Sequence, residues 1–140
     1  MTVSEIMRVY KMDTDRFETY SLGKGYEFFE LLKDDGNNGF RYTKGEGKNA
    51  KYIGLFSNLF DLGAAVSYQS SNTQEFIGIK NELKKYNFKL YETDVLDQLN
   101  TLSKLVSYRN KIFEFVIVTI PKDNDLDRNY VTYQYTLKKF

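Results

Sequence analysis

The C-terminal third of the chain constrains the fold most. From Lys111 to Ile120 the sequence KIFEFVIVTI is almost continuously apolar, and β-branched residues dominate from Phe115. That is the composition of a strand buried inside a sheet. Residues 131–137 then alternate strictly, with Val131, Tyr133, Tyr135 and Leu137 on one side and Thr132, Gln134 and Thr136 on the other. A polar segment, PKDNDLDRN, separates the two runs. The pattern predicts an antiparallel hairpin pairing 112–120 with 130–138 and packed on helices. The expected class is therefore α+β, with a mainly antiparallel sheet, about three helices and a C-terminal β-hairpin.

Upstream, the β-formers of Ile6–Met12 and Arg16–Leu22 flank Asp13-Thr14-Asp15 and predict a first hairpin. Residues 26–34 predict a helix, because Phe28, Leu31 and Leu32 fall at i, i+3 and i+4 and Gly36 can end it. Asn37-Asn38-Gly39 reads as a turn into a strand, Phe40–Thr43. An apolar helix is expected over 51–66, weakened by Gly54 and Gly63. A firmer one starts at Asn72, which with Glu75 makes a capping-box variant ahead of Phe76, Ile79, Leu83 and Tyr86. Thr93 is the candidate cap of a further helix over 94–108, with Val95, Leu99, Leu102 and Val106 as its stripe. No linker, repeat or low-complexity segment divides the 140 residues, so a single domain spanning 1–140 is expected.

Two absences narrow the chemistry. There is no cysteine and no histidine. The first removes disulfides, thiolate nucleophiles and Cys-ligated metal centres. The second removes the usual general base and the commonest transition-metal ligand. The sequence therefore points away from an enzyme and from any cofactor or metal. Twenty basic residues against nineteen acidic ones leave +1, without the basic excess of a duplex-DNA binder. No apolar run approaches the ~18 residues of a membrane span, and the first residues, with Glu5 and Arg8, do not resemble a signal peptide. A cytoplasmic setting without membrane contact is expected.

One motif fits G-x-G-x-x-A: Gly45-Glu46-Gly47-Lys48-Asn49-Ala50. Such a loop can offer backbone N–H groups to a phosphate, with lysines supplying charge. The polar strand before it is unlike the buried first strand of a dinucleotide-binding unit, which favours a solvated turn. Phosphate, if bound, is expected at 41–52, where Arg41, Lys44, Lys48 and Lys51 stand beside Gly39, Gly45 and Gly47. Interleaved with Phe40, Tyr42 and Tyr52, these cations also carry the ingredients of a single-stranded nucleic-acid site. Lys80, Lys84, Lys85 and Lys89, around Tyr86 and Phe88, form a second basic cluster, in which Lys80 and Lys84 lie four apart along one helix flank that solvation explains. Asp123-Asn124-Asp125-Leu126-Asp127 looks like the front of a calcium loop, but Arg128 and Gln134 occupy the positions that need glycine and a bidentate glutamate.

Tyrosines suit protein interfaces because they bury much area yet keep a polar tip. Tyr42, Tyr52, Tyr130, Tyr133 and Tyr135 are the candidates. In style the chain resembles small, aromatic- and asparagine-rich proteins of phages and mobile elements, with 15 lysines to five arginines and only three alanines. That likeness implies binding and blocking a target, as anti-defence and immunity proteins do. The leading expectation is a stoichiometric inhibitor or regulator of a partner protein. A single-stranded nucleic-acid module and a nucleotide or small phosphate-ligand binder are the alternatives.

Overall fold

Residues Phe113–Ile120 and Thr132–Lys139 form adjacent antiparallel strands, with Phe115 opposite Leu137 and Ile117 opposite Tyr135. The hairpin expected from the sequence is present. The computed structural model describes residues 1–34, 37–58, 65–98, 101–123 and 128–140. In chain order its elements are α1 (Val3–Tyr10), α2 (Thr14–Gly23), β1 (Glu27–Asp34), β2 (Asn37–Lys44), β3 (Lys51–Asn58), β4 (Ala65–Ser70), α3 (Thr73–Leu83), β5 (Lys89–Gln98), β6 (Thr101–Arg109), β7 (Phe113–Ile120) and β8 (Thr132–Lys139). The strands make one antiparallel sheet in the order β1-β2-β3-β4-β8-β7-β6-β5. The class is α+β, as the patterning implied.

Five local expectations are corrected. The first 22 residues form α1 and α2, not a hairpin. Their caps explain this: Thr2 accepts from the Glu5 N–H and Asp13 from the Arg16 N–H, satisfying orphan donors at each start. Residues 27–34 are a strand, not a helix. A bulge at Phe29 puts Phe28 and Leu31 on one face, so a bulged strand imitates the i, i+3 spacing of a helix. Asn37, Asn38 and Gly39 belong to β2 rather than to a turn. The helix expected over 51–66 is instead β3 and the start of β4, while its segment 59–64 lies outside the described residues. The helix expected over 94–108 is the β5–β6 pair. Val95, Leu102 and Val106 do share a face there, because a spacing of four suits a strand period of two as well as a helical turn. Gly36 and Leu99 lie outside the described residues.

The sheet also holds a repeat that the sequence conceals. In each half a four-stranded meander follows a helix, α2 in the first half (itself preceded by α1) and α3 in the second, and β4 and β8, the last strands of each, pair at the centre. One row of directly opposed residues crosses all eight strands: Glu30, Arg41, Gly54, Ser67, Thr136, Val116, Ser107 and Glu92. Ser67 and Thr136 mark its centre of symmetry. Both outer strands are bulged at their third residue, Phe29 and Tyr91. At the entry to β1 the Tyr26 N–H donates to the Ser21 carbonyl, and at the entry to β5 the Phe88 N–H donates to the Leu83 carbonyl.

All three helices lie on one sheet face. Val3, Ile6 and Val9 of α1, Phe17 of α2 and Ile79 and Leu83 of α3 are buried against Tyr42, Ile53, Val66, Tyr68, Phe115, Tyr135 and Leu137. Phe76 stacks on Tyr133 with centroids 4.3 Å apart, and Phe17 meets Tyr42 edge-on at 5.4 Å. No helix among the described residues covers the other face, and none is long and apolar enough to cross a membrane.

A carboxylate enters this layer. The Glu75 side chain, 9% exposed, takes the Met1 ammonium at 2.8 Å, the Ser70 hydroxyl at 2.6 Å and the Tyr68 hydroxyl at 2.9 Å. Burial pushes its carboxyl up, but these donors together outweigh burial and hold it below its ordinary value. Glu75 therefore does not complete the capping box. Asn72 caps α3 by accepting from the Glu75 N–H, and the Glu75 carboxylate turns inward to the chain's first residue.

Candidate binding surfaces

Strand alternation splits the basic segment 41–52 between two faces. Arg41 points to the open face, where its Nη1 donates to Glu30 Oε1 at 2.6 Å and its guanidinium lies 5.9 Å from the Tyr52 ring. Tyr42, one residue on, is 5% exposed in the core. Lys44 lies on the helix side, where its Nζ donates to the Lys24 carbonyl at 2.9 Å and sits 4.7 Å from the Tyr26 ring. Two of the four cations are thus committed to neighbours.

The glycine motif is the β2–β3 connection. Gly45 and Gly47 adopt φ of 80° and 57°, and a Cβ at Gly45 would stand 2.5 Å from the Asn49 carbonyl oxygen. A 3-10 turn over 47–49 leads into β3 and not into a helix, so no helix N-terminus completes the motif. Lys48 and Lys51 border a shallow cleft of about 340 Å³ together with Ser70, Ser71 and Asn72. The start of α3 beside it is occupied by its own Asn72 cap.

Of the tyrosine candidates, Tyr133 and Tyr135 lie in the core with Tyr42 and present no surface. Tyr52 and Tyr130 are half-buried, and Tyr52 belongs to the open face. Of the calcium-like segment, 124–127 lies outside the described residues; Asp123 and Arg128 exchange backbone hydrogen bonds across its base.

The open face carries aromatic–arginine clusters on both flanks. On one, Phe29 packs edge-on against Tyr52 at 5.4 Å beside the Arg41–Glu30 pair. On the other, the Arg109 guanidinium lies 3.6 Å from the Tyr91 centroid and 4.8 Å from that of Phe140. Phe29, Tyr91 and Phe140 are 48%, 56% and 60% exposed. Between the flanks the face is mixed: Val116 and Val118 stand opposite Thr136 and Gln134, and Gln134 donates to Gln69 across the central strands at 3.0 Å. Glu114 accepts from Ser107 at 2.6 Å and lies 3.4 Å from Arg109 and 3.5 Å from Lys138. The Ser107 hydroxyl and these two cations hold its carboxyl below the ordinary value, against the opposing effect of burial.

Sequence reading picked out Arg41 and Tyr52 but missed Phe29, Tyr91 and Arg109. The signal lay in the two bulges, since an extra residue on an outer strand re-aims a side chain. Comparison with protein-family models, with curated proteins and with solved structures found no match to this chain.

Proposed function

We propose that the protein is a non-catalytic binding protein that occupies a partner protein stoichiometrically, through the open face of its sheet. The observation that carries this reading is the exposure of Phe29, Tyr91 and Phe140 on a sheet face that no helix among the described residues covers. Rigid aromatic rings with arginines beside them are the groups that dominate interface energetics. The chain has no histidine or cysteine, and two of its engaged carboxylates, Glu75 and Glu114, are held low rather than poised near neutrality as a general base would be. The compositional likeness to phage and mobile-element proteins makes a host defence or regulatory protein the proposed target, met in the cytosol.

The stacked Arg109 and Tyr91 also favour a second reading, a single-stranded nucleic-acid module in which bases stack on the same rings. One experiment separates the two. Tagged protein is used to capture partners from lysate with and without nuclease, and beside it a Phe29→Ser/Tyr91→Ser double variant. A protein retained in stoichiometric amount after nuclease treatment, and lost with the variant, supports the first reading. Retention that nuclease abolishes, with affinity falling in log–log slope by about 0.7 per neutralised phosphate, replaces it with the second. Retention unaffected by the double variant removes the open face from both.

A further inference from the structure

A cleft lies at one end of the second meander. It encloses about 700 Å³ and is lined by Tyr86, Asn87, Lys89, Arg109, Lys111 and Ile112, with Asn110 at its base. Three cations and no carboxylate border it. Asn110 shapes the wall: its Nδ2 donates to the Tyr86 carbonyl at 3.1 Å, and its Oδ1 accepts from the Ile112 and Phe113 N–H groups.

Lys89 and Arg109 are directly opposed on neighbouring strands. Like charges in that relation destabilise a sheet, so their pairing needs a reason. The row continues through Glu114 to Lys138, and Glu114 is shared by Arg109 and Lys138, which leaves Lys89 with no ion pair among the described residues. The side chain of Lys111 makes no ion pair or hydrogen bond there either. Arg109 uses only its Nε on Glu114; its two terminal nitrogens have no protein partner among the described residues, while Tyr91 and Phe140 fix the plane of the guanidinium.

The other half of the sheet serves as an internal comparison. By the symmetry of the register, the counterparts of Lys89, Arg109, Glu114 and Lys138 are Glu27, Thr43, Tyr52 and Gln69. The same strand positions therefore fold with one acid and no cation. The positive row is a property of this corner and not a requirement of the architecture.

We infer that this cavity binds a phosphate-bearing small ligand of nucleotide size. Arg109 offers its planar fork to the phosphate, Lys89 and Lys111 supply the remaining charge, and Tyr86 and Ile112 give an apolar wall for the body of the ligand. A guanidinium held in place by stacked rings loses little freedom on making a bidentate contact. The volume falls within the range of about 300–1,000 Å³ typical of small-molecule sites. The site shares Arg109, Tyr91 and Phe140 with the open-face cluster, but the inference rests on the cavity and its three cations and not on the partner-protein reading.

The test is calorimetric titration at low salt with inorganic phosphate, adenosine monophosphate and a single-stranded oligothymidylate. Saturable binding of adenosine monophosphate is expected, weaker binding of phosphate alone, and a loss of about tenfold or more in Arg109→Gln. Lys89→Gln, whose side chain holds no other group in place, should weaken binding severalfold with stability unchanged or slightly raised by relief of the Lys89–Arg109 repulsion, so a folding defect in the arginine variant would not obscure the result. Absence of binding by adenosine monophosphate and phosphate overturns the inference, whether or not the oligonucleotide binds. So does binding that survives both substitutions but is lost in Lys48→Gln/Lys51→Gln, which would place the ligand at the β2–β3 turn.

Discussion

Gly25 and Asn87 hold the same left-handed backbone conformation, at φ of 85° and 63°, at the same step in the two halves of the sheet. Each immediately precedes the residue whose N–H closes the helix end, Tyr26 onto Ser21 and Phe88 onto Leu83. A Cβ at Gly25 would meet nothing within 4 Å, so only backbone conformation decides what the position tolerates. Asparagine enters the left-handed region readily and β-branched residues do not. Gly25→Asn should therefore cost less than about 1 kcal/mol, and Gly25→Val roughly 1–2 kcal/mol more. Urea unfolding of the two variants measures the difference, and equal costs would argue against the shared turn.

Glu75 should be the most sensitive polar residue in the protein. Glu75→Gln leaves the Met1 ammonium, 4% exposed, without its counter-charge. Breaking a buried pair from one side costs about 3 kcal/mol or more. The pH dependence has a definite sign. The folded-state value of Glu75 is below its ordinary 4.5, so its contribution is complete above that value and disappears as pH falls through the lower folded value. Glu114 acts in the same sense. Stability should decline on acidification below about pH 4.5, and Glu75→Gln should flatten that decline. An unchanged acid limb in the variant would count against the network.

The stacked pair Tyr68 and Tyr135, with centroids 5.8 Å apart, should respond oppositely to loss of the hydroxyl. Tyr68 donates to Glu75, whereas the buried Tyr135 hydroxyl has no partner among the described residues. Burial raises both phenols, so neither ionises near neutral pH. Tyr68→Phe should lose roughly 1.5–3 kcal/mol, the range for hydrogen bonds to a charged group. Tyr135→Phe should be neutral or slightly stabilising. Thermal unfolding of the two variants under one buffer gives the comparison.

Legibility of the sequence followed local chemistry. The β7–β8 pair was readable because Phe115–Ile120 and residues 131–137 sit at the centre of the sheet, where one face is fully buried and a period of two is enforced. α3 was readable because Asn72 supplies a cap that no strand needs. α1 carried an equally clear signal in Thr2 with Glu5, which the β-forming Val3, Ile6, Val9 and Tyr10 obscured. The outer strands were unreadable for a different reason. Phe28, Leu31, Leu90, Val95 and Leu102 are apolar yet exposed at the sheet margins, so burial does not impose alternation, and the bulges shift it. The internal repeat lay in the register, which pairs Ser67 with Thr136, and hardly in residue identity. The candidate surface depends on those same margins, so Arg41 and Tyr52 were found while Phe29, Tyr91 and Arg109 were not.

The open face as the partner-binding surface can be read directly by hydroxyl-radical footprinting with mass spectrometry. The protein is oxidised alone and in complex with the partner captured from lysate, and modification is followed residue by residue. Phe29, Tyr91 and Phe140 on the open face, and Leu22 and Ile77 on the helices, are all exposed in the free chain and should label there. In the complex, labelling of Phe29, Tyr91 and Phe140 is expected to fall severalfold while Leu22 and Ile77 remain as reactive as before. Protection of Leu22 and Ile77 with the three rings still fully labelled would contradict the assignment and place the partner on the helices.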